Sequence, residues 1–202
     1  MSIVIHAMEQ RSPEWFAARL GIPSASEISC LLVKGKAAHG FGAAAISYAD
    51  KLIGERITGE AADIPFDTIA MKRGRDLEAE ALSMYAQDNQ ITAVGGIENF
   101  GAWYSPDGLV GEDGLVEAKS HKPSILIPLL LDPGFPEMHR DQCELGLLLS
   151  GRSWIDLVAY FPGMPLLHRR LYRDEARLLE LAVRLQSFLD FMDDRQEKVM
   201  AA

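Results

Sequence analysis

Apolar residues recur at three- and four-residue spacing toward both ends of the chain and gather into short runs between residues 91 and 172. That pattern predicts helices on either side of a central sheet. Ser12-Pro13-Glu14 reads as a helix start, with Ser12 as N-cap, Pro13 in the first helical position and Gly21 closing the helix. Ser24 and Glu27 have the spacing of a capping box for a second helix, whose stripe is Ile28, Leu31 and Leu32; Ser26 then falls in its first turn, where free N–H groups favour an anion. Residues 34–42 read as a glycine-rich loop, Ala43 to Ile57 as a helix ending near Gly59, and residues 60–67 as another loop. From Thr68 to Gln87 a helical face returns in Leu77, Ala81, Met84 and Tyr85, with Gly74 interrupting it.

Short β-type segments follow around Ile91 to Val94, Ile97 to Phe100 and Trp103 to Tyr104. Gly108-Leu109-Val110, the turn Gly111 to Gly114, and Leu115 to Lys119 read as a hairpin. A helix from Pro136 to Leu149 comes next, then a buried strand from Trp154 to Phe161, a turn, and its partner from Leu166 to Tyr172. The last helix runs from Asp174 to Val199, with Leu178, Leu181, Leu185, Leu189 and Met192 on one face. The fold class is therefore mixed α/β (α+β): a central, mostly antiparallel sheet flanked by helices, with no internal repeat.

Composition sharpens this only in part. With 48% apolar residues in 202, the chain can bury roughly two thirds of its surface in one core, so residues 1–202 are read as a single domain. The longest apolar run, Ile125 to Leu131, is broken by Pro128 and is far short of the ~20 residues that cross a bilayer. The opening MSIVIHAMEQRS lacks the basic region and long apolar core of a signal peptide, so a cytoplasmic protein is expected. Cys30 and Cys143 lack metal-ligand spacing and are expected to be buried apolar residues. The net charge of -9 excludes a surface coated in DNA-binding charge, because its mean field would repel a polyanion. Any nucleic-acid site must be a local patch built from Arg11, Arg19, Lys34 and Lys36, Lys72-Arg73-Arg75, or His139-Arg140. Each of these, taken alone, is equally what a solvated surface carries.

The candidate chemistry sits in the hairpin. Glu117 and Lys119 share one face of its second strand, and a bend at Pro106-Asp107 can bring a second carboxylate beside them. Two acids and an ammonium at one spot are the outline of a metal-dependent phosphodiesterase, since hard cations such as Mg²⁺ take oxygen ligands and offset the charge. Asp107 and Glu117 can bind the ion directly, the Ala118 carbonyl can complete the shell, and Lys119 can orient or deprotonate water if its pKa is lowered. A surface hairpin with ordinary charges has the same spacing.

Four blocks in order resemble the phage lambda exonuclease and YqaJ-type viral recombinase (alkaline exonuclease) family of the PD-(D/E)xK nuclease superfamily. They are QRSPEWFAARLGIPSAS (10–26), GRDLE (74–78), SPDGL followed by VEAK (105–119), and HRDQCELGLLLSGRSWIDLVAYFP (139–162). The resemblance implies a restriction-endonuclease-like core and a Mg²⁺-dependent 5′-to-3′ exonuclease on linear double-stranded DNA that leaves 3′ single-stranded tails. By it Asp107, Glu117 and the Ala118 carbonyl match metal ligands, Lys119 the catalytic lysine, Glu78 a helical acid that arranges metal and water, and Gln142 a glutamine beside the nucleophilic water. Arg19 and Ser26 match the residues that hold the 5′-terminal phosphate. It further implies a two-ion site in which Mn²⁺ can replace Mg²⁺, a homotrimeric ring, a single-strand annealing partner, and a phage or prophage origin in a bacterial cell.

Two positions depart from the pattern. Many relatives in the superfamily place a tyrosine four residues after the glutamine, and here that position is Gly146. Ala118 is smaller than the apolar residue often found there, which matters little where only its carbonyl is needed. The four-cysteine iron-sulfur branch is excluded by the two cysteines. A structure-specific endonuclease and a catalytically inactive DNA-end-binding module remain as alternatives.

Overall fold

The computed structural model describes residues 2–62 and 68–202. In chain order its elements are β1 (Val4–His6), α1 (Pro13–Ala18), a 3-10 turn (Ala25–Glu27), α2 (Ile28–Leu32), α3 (Ala43–Thr58), α4 (Ile69–Tyr85), β2 (Ile91–Thr92), β3 (Gly96–Asn99) and β4 (Ala102–Tyr104). They continue with β5 (Gly108–Val110), β6 (Gly114–Ser120), α5 (Pro123–Leu131), α6 (Glu137–Ser150), β7 (Trp154–Tyr160), β8 (Leu167–Tyr172) and α7 (Glu175–Met200). The main sheet has the order β2-β5-β6-β7-β8, antiparallel except for the parallel pair β6 and β7. A second sheet, β1-β3-β4, is antiparallel. This is the mixed α/β, mostly antiparallel architecture expected from the pattern.

Local chemistry explains most boundaries. Ser12 Oγ accepts the Trp15 N–H at 3.2 Å, and Pro13 occupies the first turn of α1, where its missing N–H is harmless. Helix α3 buries Ala45, Ala49, Leu52 and Ile53 and ends at Gly59, whose φ of 71° accepts the left-handed turn. Helix α7 starts at Asp174, which accepts from the Ala176 and Arg177 N–H groups, and buries Leu178, Leu181, Leu185, Phe188 and Met192. Helix α6 is buried continuously from Cys143 to Leu149, because it lies between the main sheet, the small sheet and α7. Helix α4 covers the opposite face of the main sheet, with Ala81 and Tyr85 against Val110, Val116, Ala118 and Val158.

Two expectations are corrected, and two elements are present that the pattern had not indicated. Ser24 makes no capping bond and Glu27 caps nothing, so the helix read from Ser24 is a 3-10 turn followed by the five-residue α2. Strand β1 was not expected; its three residues gain strand geometry only by pairing with β3. The run through Pro128 forms α5, which starts on Pro123. The final carbonyls of α5 are held from outside by the Arg169 guanidinium, which donates to Leu129, Leu130 and Asp132 oxygens at 3.3, 3.4 and 2.7 Å. Cys143 is buried as expected, whereas Cys30 is half-buried. The loop read over 60–67 lies, for residues 63–67, outside the described residues.

One charged cluster locks α4, β7 and β8 together. Asp156, fully buried in β7, accepts from Arg170 Nε and Nη2 at 2.7 Å each and from the Tyr85 hydroxyl at 2.6 Å, with His168 Nε2 at 3.0 Å. Although burial alone would raise its pKa, the hydrogen bonds from Arg170, His168 and Tyr85 hold Asp156 well below the ordinary carboxylate range. Asp156→Asn is expected to lower the unfolding free energy by about 3 kcal/mol in denaturant titration, since it leaves Arg170 without its anion. A depressed folded pKa gives stability that is complete above the unfolded carboxylate value of about 3.9 and is lost below it. The difference between parent and variant should therefore be steady above about pH 4 and shrink in more acidic buffer.

Candidate active site

Strand β6 leaves its neighbour β5 before it ends, and the site is built in that gap. The last bond on this side is from the Asp107 N–H to the Val116 oxygen at 3.1 Å. Beyond it the Asp107 carboxylate takes over, accepting the Ala118 N–H on Oδ2 at 2.7 Å. A strand residue projects its N–H and C=O to the same side, so the Ala118 carbonyl also faces the Asp107 side. The approach to Asp107 is clamped from the N-terminal segment. Gln10 Nε2 donates to Pro106 O at 2.8 Å and Val94 O at 3.0 Å, and Trp15 Nε1 donates to Gly95 O at 2.8 Å.

Glu117 is buried and accepts three donors from three elements. Lys119 Nζ donates to Oε1 at 2.8 Å, Gln142 Nε2 to the same oxygen at 2.6 Å, and the Tyr104 hydroxyl to Oε2 at 2.7 Å. Glu78 approaches from α4. A Cβ at Gly74 would lie 3.1 Å from Ser120 Oγ, so the glycine lets α4 run close to the end of β6, and Glu78 follows one turn later. Its carboxylate is held by the Ser120 backbone and feels the charges of Lys119 and Glu117. The structure thus brings together Asp107, Glu117, Ala118, Lys119, Glu78 and Gln142, although Gln142 is bonded to Glu117 itself.

These groups perturb one another strongly. Burial, then the charge of Glu117, pushes the Asp107 carboxyl up to about 8. Burial also raises Glu78. Burial alone would lower Lys119, but Glu117 and Asp107 outweigh it and raise its pKa. Without a bound cation the environment therefore favours the protonated amine of Lys119, and the lowering that proton abstraction would need is left to the charge of a metal ion. His121 and His139 lie next to Lys119 with Nε2 atoms 2.9 Å apart, and burial and the Lys119 charge lower both, His139 to about 4. Neither that contact nor the Tyr104 bond was read from the sequence, because both join residues far apart in it.

Among the described residues no three His, Cys, Asp or Glu side chains form a ready metal-holding group. The donors that do converge are two carboxylates, Asp107 and Glu117, and the Ala118 carbonyl side of β6. An all-oxygen set with mutually repelling charge, in which one acid is pushed toward its neutral form, fits a hard divalent cation.

Arg19 and Ser26 meet at a separate recess of ≈ 70 Å³, whose walls include Ser24, Ser105, Tyr104 and Gln142. Arg19 caps α1 and lies over the Trp15 ring, 4.1 Å from its centroid. The Ser24 and Ser26 hydroxyl oxygens are 3.0 Å apart, and the Ser24 N–H donates to the Tyr48 hydroxyl at 2.9 Å. Ser26 lies in the middle of the 3-10 turn that follows Ser24 and leads directly into α2. Tyr104 and Gln142 belong to both sites, since each lines the recess and donates to Glu117.

No family model matches the chain, and no curated protein matches its sequence. Solved structures do. The chain is similar to an alkaline exonuclease, LHK-Exo, from Laribacter hongkongensis, with 30% identity and a TM-score of 0.82 over 94% of this chain and 97% of that one. LHK-Exo in complex with dAMP matches equally, at 30% identity and a TM-score of 0.82 over 93% and 96%. A phage related exonuclease from Haemophilus somnus 129PT has the same fold at 13% identity, with a TM-score of 0.65 over 88% of this chain and 96% of that one.

The raised Asp107 has a measurable consequence for stability. A carboxyl whose folded pKa is about 8 binds its proton more tightly in the folded than in the unfolded chain, so its ionisation destabilises the fold as pH rises toward 8. In the presence of a chelator, Asp107→Asn is expected to melt at a higher temperature than the parent, by more at pH 8.5 than at pH 5. Equal shifts at the two pH values, or a lower melting temperature for the variant, would count against this account.

Proposed function

The chain belongs to the alkaline exonuclease family of the lambda-exonuclease and YqaJ type, and on that premise we propose that it degrades one strand of linear double-stranded DNA from the 5′ end. The cofactor proposed is Mg²⁺, with Mn²⁺ as a substitute in a two-ion site, and the product is a duplex with 3′ single-stranded tails for annealing recombination. The observation that carries this reading is that one pair of residues, Tyr104 and Gln142, walls the Arg19–Ser26 recess and also holds Glu117. A strand end anchored in the recess would present its first internal phosphodiester to the carboxylate cluster. That LHK-Exo has been seen with dAMP, a deoxynucleoside monophosphate, agrees with such a product.

In the proposed reaction water attacks phosphorus, the bond to the 3′ oxygen breaks, and a proton reaches the leaving oxygen. Mg²⁺ held by Asp107, Glu117 and the Ala118 carbonyl would supply Lewis-acid stabilisation of the phosphoryl charge and of the leaving oxygen. Lys119, which donates to Glu117, orients the water and offsets charge at phosphorus. Glu78 and Gln142 fix the polar edge of the site, and the Arg19 guanidinium with the Ser26 hydroxyl receives the 5′-phosphate. A homotrimeric ring around the DNA and a single-strand annealing protein as partner complete the proposal. An oligomer with a basic lining would reconcile the net charge of -9 with DNA binding.

End-labelled linear duplex with Mg²⁺ should be shortened from its 5′ ends, while covalently closed circles stay intact; cutting of circles would favour an endonuclease. Asp107→Ala is expected to slow nucleotide release at least about a hundredfold, the scale of losing a preorganised charge-stabilising group, while end binding persists. Duplexes with 5′-phosphate should be digested about tenfold faster than 5′-hydroxyl duplexes, a preference removed in Arg19→Ala; equal rates on both ends in the parent would refute the recess assignment. Light scattering that gives a monomer mass with and without DNA would remove the ring.

A further inference from the structure

Four residues after Gln142 on α6 stands Gly146, and the space above it is filled from another element. A Cβ built on Gly146 would lie 2.7, 2.8 and 3.1 Å from Cε1, Cζ and Cδ1 of Tyr104. The ring of Tyr104 therefore rests directly on the bare backbone of α6, and any side chain at 146 would push it away. Tyr104 belongs to β4, opposite Ile97 of β3, and is 1% exposed. Held between β4 and α6, the ring has one place to direct its hydroxyl, and that place is Glu117 Oε2 at 2.7 Å. Gln142, one turn earlier on α6, takes Oε1 at 2.6 Å. The two carboxylate oxygens are thus fixed separately, one from the small sheet and one from the helix.

We propose that Tyr104 is a positioning residue of the catalytic centre, whose hydroxyl sets the orientation of Glu117 and couples that orientation to occupancy of the Arg19–Ser26 recess. The first part follows from geometry: of the three donors to Glu117, the Tyr104 hydroxyl is the one on Oε2. The second follows from the shared wall. Tyr104 lines the recess together with Arg19, Ser26 and Gln142, so an oxyanion seated there would lie against two of the three residues that hold Glu117. Gly146 is then the sequence signature of the arrangement, since the fold gives up a side chain on α6 to admit a tyrosine from β4. The inference rests on the reading of Glu117 as a cation-binding carboxylate.

Tyr104→Phe deletes the hydroxyl and keeps the ring; Gly146→Ala keeps the hydroxyl and displaces the ring. Both are compared with the parent by kinetics on 5′-phosphorylated and 5′-hydroxyl duplexes, by calorimetry of Ca²⁺ binding without DNA, and by melting temperature. A hydrogen bond to a charged group is worth about tenfold or more, so kcat for Tyr104→Phe should fall by about tenfold with KM for DNA little changed. Ca²⁺ binding should weaken, and the advantage of 5′-phosphorylated ends should narrow; Gly146→Ala should move each quantity in the same direction. If Tyr104→Phe does not fold, the same readouts from Gly146→Ala decide. If the parent digests linear duplex but the folded variants keep its kcat, its Ca²⁺ affinity and its end preference, Tyr104 has no positioning role. A loss of melting temperature with those three unchanged also overturns it, as the role would be structural only. A parent inactive on linear duplex in Mg²⁺ would instead remove the functional reading on which the inference rests.

Discussion

A buried carboxylate held by donors from three separate elements is the constraint around which this structure is organised. Removing an ionised carboxylate from water is unfavourable by several kcal/mol after relaxation, and only short, well-aimed donors offset it. Glu117 has Tyr104 from β4, Lys119 from its own strand and Gln142 from α6, all within 2.8 Å. None of these can shift alone. The burial of α6 on every side, the seating of the small sheet against it, and the Gln10 and Trp15 clamps on the loop before Asp107 all fix where the donors stand. The N-terminal segment thus contributes to the site twice, through the clamps and through Arg19.

The chain buries acids in two ways, and the contrast separates structure from chemistry. Asp156 is surrounded by cation and hydroxyl donors sufficient for its charge, and its pKa is driven down. Asp107 accepts one backbone N–H and lies near Glu117, so its charge is under-compensated and its pKa is driven up. A fold selected for stability alone would pair Asp107 as it pairs Asp156. An under-compensated acid beside another acid, with a backbone carbonyl on the same side, is the state expected where an external cation belongs.

Much of this was legible in the sequence, and the parts that were not have a common cause. The hairpin, the α1 cap, the Gly59 terminus of α3 and the stripes of α4 and α7 are set by residues within a few positions of each other, which pattern reading captures. Spacing alone also left Asp107, Glu117 and Lys119 open to a surface reading; the resemblance supplied Glu78, Gln142, Arg19 and Ser26. What escaped depends on contacts distant in sequence. Helix α5 contains Pro128 and is finished by Arg169 from β8, and β1 exists by pairing with a strand some ninety positions later. The capping box at Ser24 had the right letters, yet the Ser24 side chain pairs with Ser26 instead. The protonation of Lys119 stayed conditional in the sequence because burial and charge act oppositely on it, and their balance needs distances.

The recess and the carboxylates also bear on how an acidic chain could meet a polyanion. At a net charge of -9 the long-range field is repulsive, but beyond about 8 Å at physiological salt that repulsion is largely screened, so selection falls to contacts made at the site. Arg19 is suited to such a contact. It lies over the Trp15 face, and among the described residues no acid forms an ion pair with it, so its fork of donors is directed by stacking and not consumed by a carboxylate. A terminal phosphate offers more charge and more acceptor oxygens to such a fork than an internal phosphodiester does. Preference for an end would then arise from one stacked guanidinium in a recess of ≈ 70 Å³, with no need for a broadly basic surface.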